Sequence, residues 1–180
     1  MKKQNNKGFS LIEIIVVLAI MGIAVAGSIS LYSSLSKAKV KSATNHIDSQ
    51  LSLTRTNTLS KKGYWMFKLC VEDNNYCAVV CRSEDGSGAW EEYKKVSLGS
   101  VDSLDITYTK LKVDDAGNIT KIPNVAVKSF EAKIIYDSSS GACLKSSGEA
   151  DYYVGDITIT DGSIDRVISI TRATGKHYVD

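Results

Sequence analysis

Hydrophobic and polar positions divide the chain into three regimes. Over residues 9–31 apolar side chains run almost without interruption, and the only ionisable group among them is Glu13. A stretch of that length and character can cross a bilayer as a helix, with a carboxylate inside its first turn. Beyond it the pattern stays helical but becomes amphipathic. Leu31, Leu35, Ala38, Ile47, Leu51 and Thr54 recur at helical spacings, with Lys37, Lys39, Lys41, Asp48 and Arg55 between them. Gly63 suits the position just past a helix end, and Lys61 and Lys62 complement a helix C-terminus, so one helix is expected over residues 9–62.

After Gly63 the period switches to two. Segments 64–71 and 76–81 flank Glu72-Asp73-Asn74-Asn75, a hairpin turn. A Gly/Ser turn at 84–89 leads into an extended, charged segment at 90–98. Residues 104–113 alternate most clearly, and 114–118 turn the chain into a strand at 119–122. Further strands are expected at 130–136, followed by the loop 138–141, and at 152–160 and 166–171, joined through Asp161-Gly162. The expected class is α+β. A long N-terminal helix, membrane-spanning in its first half and amphipathic in its second, packs on an antiparallel β-sheet head.

Composition refines this picture in two places. The formal charge of +2 rests on 22 basic and 20 acidic residues, so no strongly basic surface is forced and nucleic-acid binding is not the default. Cys70, Cys77, Cys81 and Cys143 all follow the apolar segment, an even number that suits a compartment permitting disulfides. Their spacing lacks the paired C-x2-C knuckles of structural zinc, and no metal is expected. A turn centred on Asp73 and Asn74 sets Cys70 opposite Cys77, at a separation a disulfide can span at a non-hydrogen-bonded pair, leaving Cys81 for Cys143. Four cysteines allow three connectivities, so other pairings stay open.

Lys7-Gly8-Phe9-Ser10-Leu11-Ile12-Glu13 at the head of the apolar run resembles the precursor signature of the type IV pilin and pseudopilin superfamily: a short basic leader ending in Gly, then Phe, apolar residues and a Glu. The resemblance implies a pilin-like fold divided into a leader (1–8), a transmembrane and filament-core helix (9–31), an amphipathic helix of the head (32–62) and a β-rich head (63–180). It implies that a prepilin peptidase reads Lys7 and Gly8, cuts before Phe9 and N-methylates Phe9. It also gives Glu13, fifth in the mature chain, an assembly role, its charge meeting the amino terminus of a neighbouring subunit. Physical chemistry agrees, since a carboxylate in lipid needs a counter-ion and a helix N-terminus favours negative charge. Loss of Lys2, Lys3 and Lys7 with the leader would leave 19 basic against 20 acidic residues, a net −1.

Implied partners are other pilin or pseudopilin subunits, the peptidase and methyltransferase, an inner-membrane assembly platform, and the membrane before assembly. The head would lie outside the cell on a single-pass anchor and then in an extracellular or periplasmic filament. Positive residues and the amino terminus count only four before the span against Lys37, Lys39 and Lys41 after it, so orientation rests on the resemblance. Major pilins usually carry a proline where this chain has Ser30; the single proline here is Pro123, which favours a minor pilin or pseudopilin. The end, from Arg166 through Thr174-Gly175-Lys176, resembles the C-terminal signature of H-type pseudopilins and FimT-like minor pilins.

Candidate chemistry is sparse. The chain has no G-x-S-x-G elbow, phosphate-binding Gly loop or H-E-x-x-H, so no enzyme and no cofactor are expected. His46 and His177 read as surface residues, and Glu91, Glu92, Asp114 and Asp115 as solvated acids. The acids around Gly117 and Asn118 lack EF-hand spacing. Two alternatives stand beside the pilin reading. Ala24-Val25-Ala26 fits a general signal peptidase site and would release a soluble β-protein. Arg172 and Lys176 could contact DNA phosphates, as in receptor pilins of natural transformation.

Overall fold

The computed structural model describes residues 10–86, 89–144 and 152–180, with the side chains of 26–33 excepted. Among the described residues, one helix and ten strands make an α+β fold: α1 (Leu11–Ser60), β1 (Tyr64–Glu72), β2 (Asn75–Ser83), β3 (Glu91–Ser100), β4 (Asp105–Val113), β5 (Ile119–Ala126), β6 (Ala132–Tyr136), β7 (Cys143–Leu144), β8 (Tyr153–Thr160), β9 (Asp165–Ile170) and β10 (His177–Val179). Two antiparallel five-stranded sheets carry the strands, in the orders β3-β2-β1-β6-β7 and β10-β9-β8-β4-β5. The chain divides into two compact units, Met1–Lys37 and Ala38–Asp180.

Within the second unit, one core joins helix and sheets. Val40, Ala43, Ile47 and Leu51 of α1 meet Phe67, Leu69, Tyr76, Ala78 and Ile134 of the first sheet and Ile106, Ile157, Ile159 and Ile168 of the second. Strand alternation accounts for the end of β8, where Ile157 and Ile159 turn inward and Asp156, Thr158 and Thr160 are only half-buried. In β1 and β2 both faces are buried. Phe67 and Leu69 face the main core, whereas Met66, Cys70, Cys77, Val79 and Cys81 make a second cluster on the opposite face.

The buried face of α1 keeps Ile47, Leu51 and Thr54 of the expected pattern and departs from it elsewhere. Leu35 is 62% exposed and Ala38 is also exposed, while Thr44, Gln50, Thr54, Asn57 and Thr58 are buried. Threonine hydroxyls tolerate this because they donate back along the helix: Thr44 to the Val40 carbonyl at 2.7 Å, Thr54 to Gln50 at 2.7 Å and Thr58 to Thr54 at 2.9 Å. The helix closes at Ser60, so Lys61 and Lys62 fall beyond it rather than in its last turn. Instead the Lys61 ammonium sits 5.4 Å from the ring centroids of Trp65 and Tyr93.

The β1–β2 turn falls where its Asp and Asn residues direct it. Asp73 (φ 49°) and Asn74 (φ 61°) both adopt the left-handed region that a two-residue type I′ hairpin loop requires. Edge strands are guarded. β3 is charged and carries bulges opposite Tyr76/Cys77 and Val80/Cys81, and β5 contains Pro123 beside the positive-φ residue Asn124 at another register shift.

Candidate functional site

Within the first unit, Ser10 sits at the N-cap position of α1, its carbonyl accepting the amides of Glu13 at 3.0 Å and Ile14 at 3.2 Å. Ser10-Leu11-Ile12-Glu13 has capping-box spacing, which places Glu13 at the third helical position, where a carboxylate complements the orphan amides and the dipole. Glu13 is exposed, and among the described residues no ion pair engages it. Ile14, Val17, Leu18 and Met21 continue the same surface, and Ile14, Val17, Leu18, Met21 and Val25 are each 45–63% exposed. The element is thus an uncovered apolar helix headed by one carboxylate. Lys7, Gly8 and Phe9 lie outside the described residues. So do the side chains of 26–31, the last part of the expected span. Among the described residues no helix is long and apolar enough to cross a membrane.

In the second unit, the C-terminal turn is anchored to α1. Arg55 donates from Nε (3.3 Å) and Nη2 (3.1 Å) to the Thr174 carbonyl, and His177 Nε2 lies 3.1 Å from Asp48 Oδ1 and 3.2 Å from Ser52 Oγ. The His177 side chain is only 8% exposed, which corrects the surface reading; His46 is exposed as expected. Serine, histidine and aspartate thus meet, yet not as a catalytic relay. Both partners share Nε2, and among the described residues the buried Nδ1 has no partner, whereas a relay uses opposite ring nitrogens. Sequence reading missed this contact because Asp48 and Ser52 lie 125 or more residues from His177, and only their i, i+4 spacing on α1 signals a shared face.

The two suggested phosphate-contacting cations have different neighbours. The Arg172 guanidinium lies 5.0 Å from the Tyr153 ring centroid, and Lys176 lines a groove of about 290 Å³ together with Asp48, Arg55 and His177. Among the described residues no three potential ligands gather for a metal ion.

All four cysteines are buried free thiols. Cys70 faces Cys77 in the β1–β2 register. Counting back from the two-residue loop, Glu72 and Asn75 close it as a hydrogen-bonded pair, Val71 and Tyr76 form a non-hydrogen-bonded pair, and Cys70 and Cys77 are again hydrogen-bonded. That corrects the expected pair type. The suggested pairing of Cys81 with Cys143 does not fit, because Cys81 belongs to the outer cluster and Cys143 to the main core on the other face of the sheet.

Comparison with known families bears on the amino-terminal element. Residues 3–29 match the prokaryotic N-terminal methylation motif. The methylation motif supports the type IV pilin and pseudopilin superfamily and points to a structural subunit rather than an enzyme. It covers Lys7, Gly8, Phe9 and Glu13 together with the start of α1. Searches of curated proteins and of solved structures returned no match.

Proposed function

We propose that this chain is a type IV pilin-like structural subunit, a minor pilin or pseudopilin of the H-type or FimT-like kind, working by assembly. The methylation motif at residues 3–29 supports the type IV pilin-like part of this reading, and Ser30 and the end from Arg166 to Lys176 support the subtype. Prepilin peptidase removes residues 1–8 after Gly8 and methylates Phe9. Residues 9–31 hold the precursor in the membrane, with residues 32–180 outside, and then pack among neighbouring helices in a filament raised by an inner-membrane platform. Residues 32–62 serve as the amphipathic helix of the head, whose β-rich part is 63–180.

Glu13 supplies the register. An exposed carboxylate at the head of an apolar helix is costly in lipid or in a filament core unless a counter-charge meets it. The ammonium of a neighbour's Phe9 supplies that charge, and the helix dipole favours the same sign. Replacing Glu13 with Ala tests the assignment by comparing cleaved subunit in the membrane with subunit in the sheared filament fraction. Cleavage is expected to proceed while the filament fraction falls at least about tenfold, the loss of about 1.4 kcal/mol or more per contact. Glu13→Ala in filaments at the wild-type level would refute the register role.

A further inference from the structure

On the face of the first sheet opposite the main core, sulfur is concentrated: Met66, Cys70, Cys77 and Cys81 form one buried cluster with Val79. Cys70 and Cys77 are direct partners across β1 and β2, and both side chains belong to this cluster, so they project to the same side. Hydrogen-bonded antiparallel partners stand about 5.5 Å apart at Cα, within the span of roughly 4.4–6.8 Å that a disulfide bridges, and closing the bond draws their Cβ atoms together by roughly 1 Å. The Cys70 Sγ already reaches across the hairpin to 4.0 Å from the Cys77 carbonyl oxygen. Neither remaining cysteine has such a partner. Cys81 faces Met66 and stands four residues, about 13 Å, along β2 from Cys77, and Cys143 lies on the other side of the sheet.

We propose that Cys70 and Cys77 are a redox site that closes as a disulfide across the β1–β2 hairpin, while Cys81 and Cys143 remain thiols. The oxidant is a small or protein disulfide. One cysteine thiolate, its proton released to water, attacks a sulfur of that disulfide and expels the other sulfur as a thiolate. The second cysteine, also deprotonated, then attacks the mixed disulfide at the first cysteine's sulfur and releases the remaining oxidant thiol. Two protein thiols are oxidised to one S–S bond, and the oxidant disulfide is reduced to two thiols.

The staple fixes a part of the hairpin on which other elements depend. The Asn74 carbonyl accepts the Val101 amide at 3.1 Å, Asn74 Nδ2 donates to Asp102 at 2.9 Å, and Glu72 pairs with Lys95 of β3. The Cys70 thiol now donates to Glu72 Oε1 at 3.5 Å; oxidation removes that proton and leaves Glu72 to Lys95. Burial pushes the Cys70 thiol up to about 12 and raises Cys77 as well, so the closed hairpin presents little thiolate at neutral pH. Oxidation is therefore fastest while the hairpin still opens.

Disulfide mapping on the full chain tests the proposal. The chain is equilibrated with glutathione disulfide, denatured in iodoacetamide and cut with trypsin and a glutamyl endopeptidase. Cleavage after Lys68, Glu72 and Arg82 yields fragments 69–72 and 73–82, which stay joined only through Cys70. The expected result is a linked pair with the alkyl label on Cys81 and on Cys143, and a free-thiol count in denaturant falling from four to two. Four labelled cysteines, or a link through Cys81 or Cys143, would overturn it.

Discussion

Asp137 shows how much a single exposed carboxylate can organise. Its Oδ1 accepts the amides of Ser139 (3.1 Å) and Ser140 (2.8 Å) and their hydroxyls (2.6 and 2.7 Å), closing the turn after β6. Those hydroxyls and amides hold the carboxyl down at about 2. Because the folded value lies below the unfolded value of about 3.9, the turn's contribution is complete above about pH 4 and is lost as pH falls through about 2. Asp137→Asn should therefore show a smaller drop in melting temperature between pH 4 and pH 2 than the wild type. An unchanged acid profile would contradict the capping account. Gly175 (φ 62°) is a steric counterpart. A Cβ there would run into the Gly141 carbonyl oxygen and come within 2.9 Å of the Tyr136 ring. Gly175→Ala is expected to cost on the order of 3 kcal/mol in urea unfolding, from overpacking and backbone strain together.

For the elements, the energetics of α1 change along its length. Ile47 is fully buried in the main core, so Ile47→Ala should destabilise the fold by about 3 kcal/mol, whereas Leu35→Ala should change it by less than about 0.5. Equal losses at both positions would show that the helix buries a different face. This contrast also marks the limit of reading the sequence. Apolar spacing proposed Leu35 and Ala38, which are exposed, beside Ile47, Leu51 and Thr54, which are buried; the buried stripe also takes in Thr44, Gln50 and Thr58, and back-bonding makes the hydroxyls of Thr44, Thr54 and Thr58 acceptable inside. Strands were legible where period-two alternation and turn chemistry agreed, as in β1, β2, β4, β8 and β9. β5 runs past the expected Ile122 through Pro123 to Ala126, because an edge strand tolerates proline on its open side. β7 has only two residues, Cys143 and Leu144, too few to carry a period; the Cys143 amide instead donates to the Arg172 carbonyl at 2.9 Å. Contacts of long sequence separation, such as His177 with Asp48, left no local signal beyond the i, i+4 spacing of Asp48 and Ser52.

Over the whole molecule, a methylation motif precedes a β-rich region whose described residues present no metal-ligand cluster and no relay geometry. The proposed function requires that the chain be made as a precursor and cut before Phe9. The direct measurement is the intact mass and N-terminal sequence of the protein extracted from its own membranes. The expected result is a chain that begins at Phe9 and is heavier by one methyl group than that sequence. A chain that begins near Gly27, or one that retains residues 1–8, would contradict it.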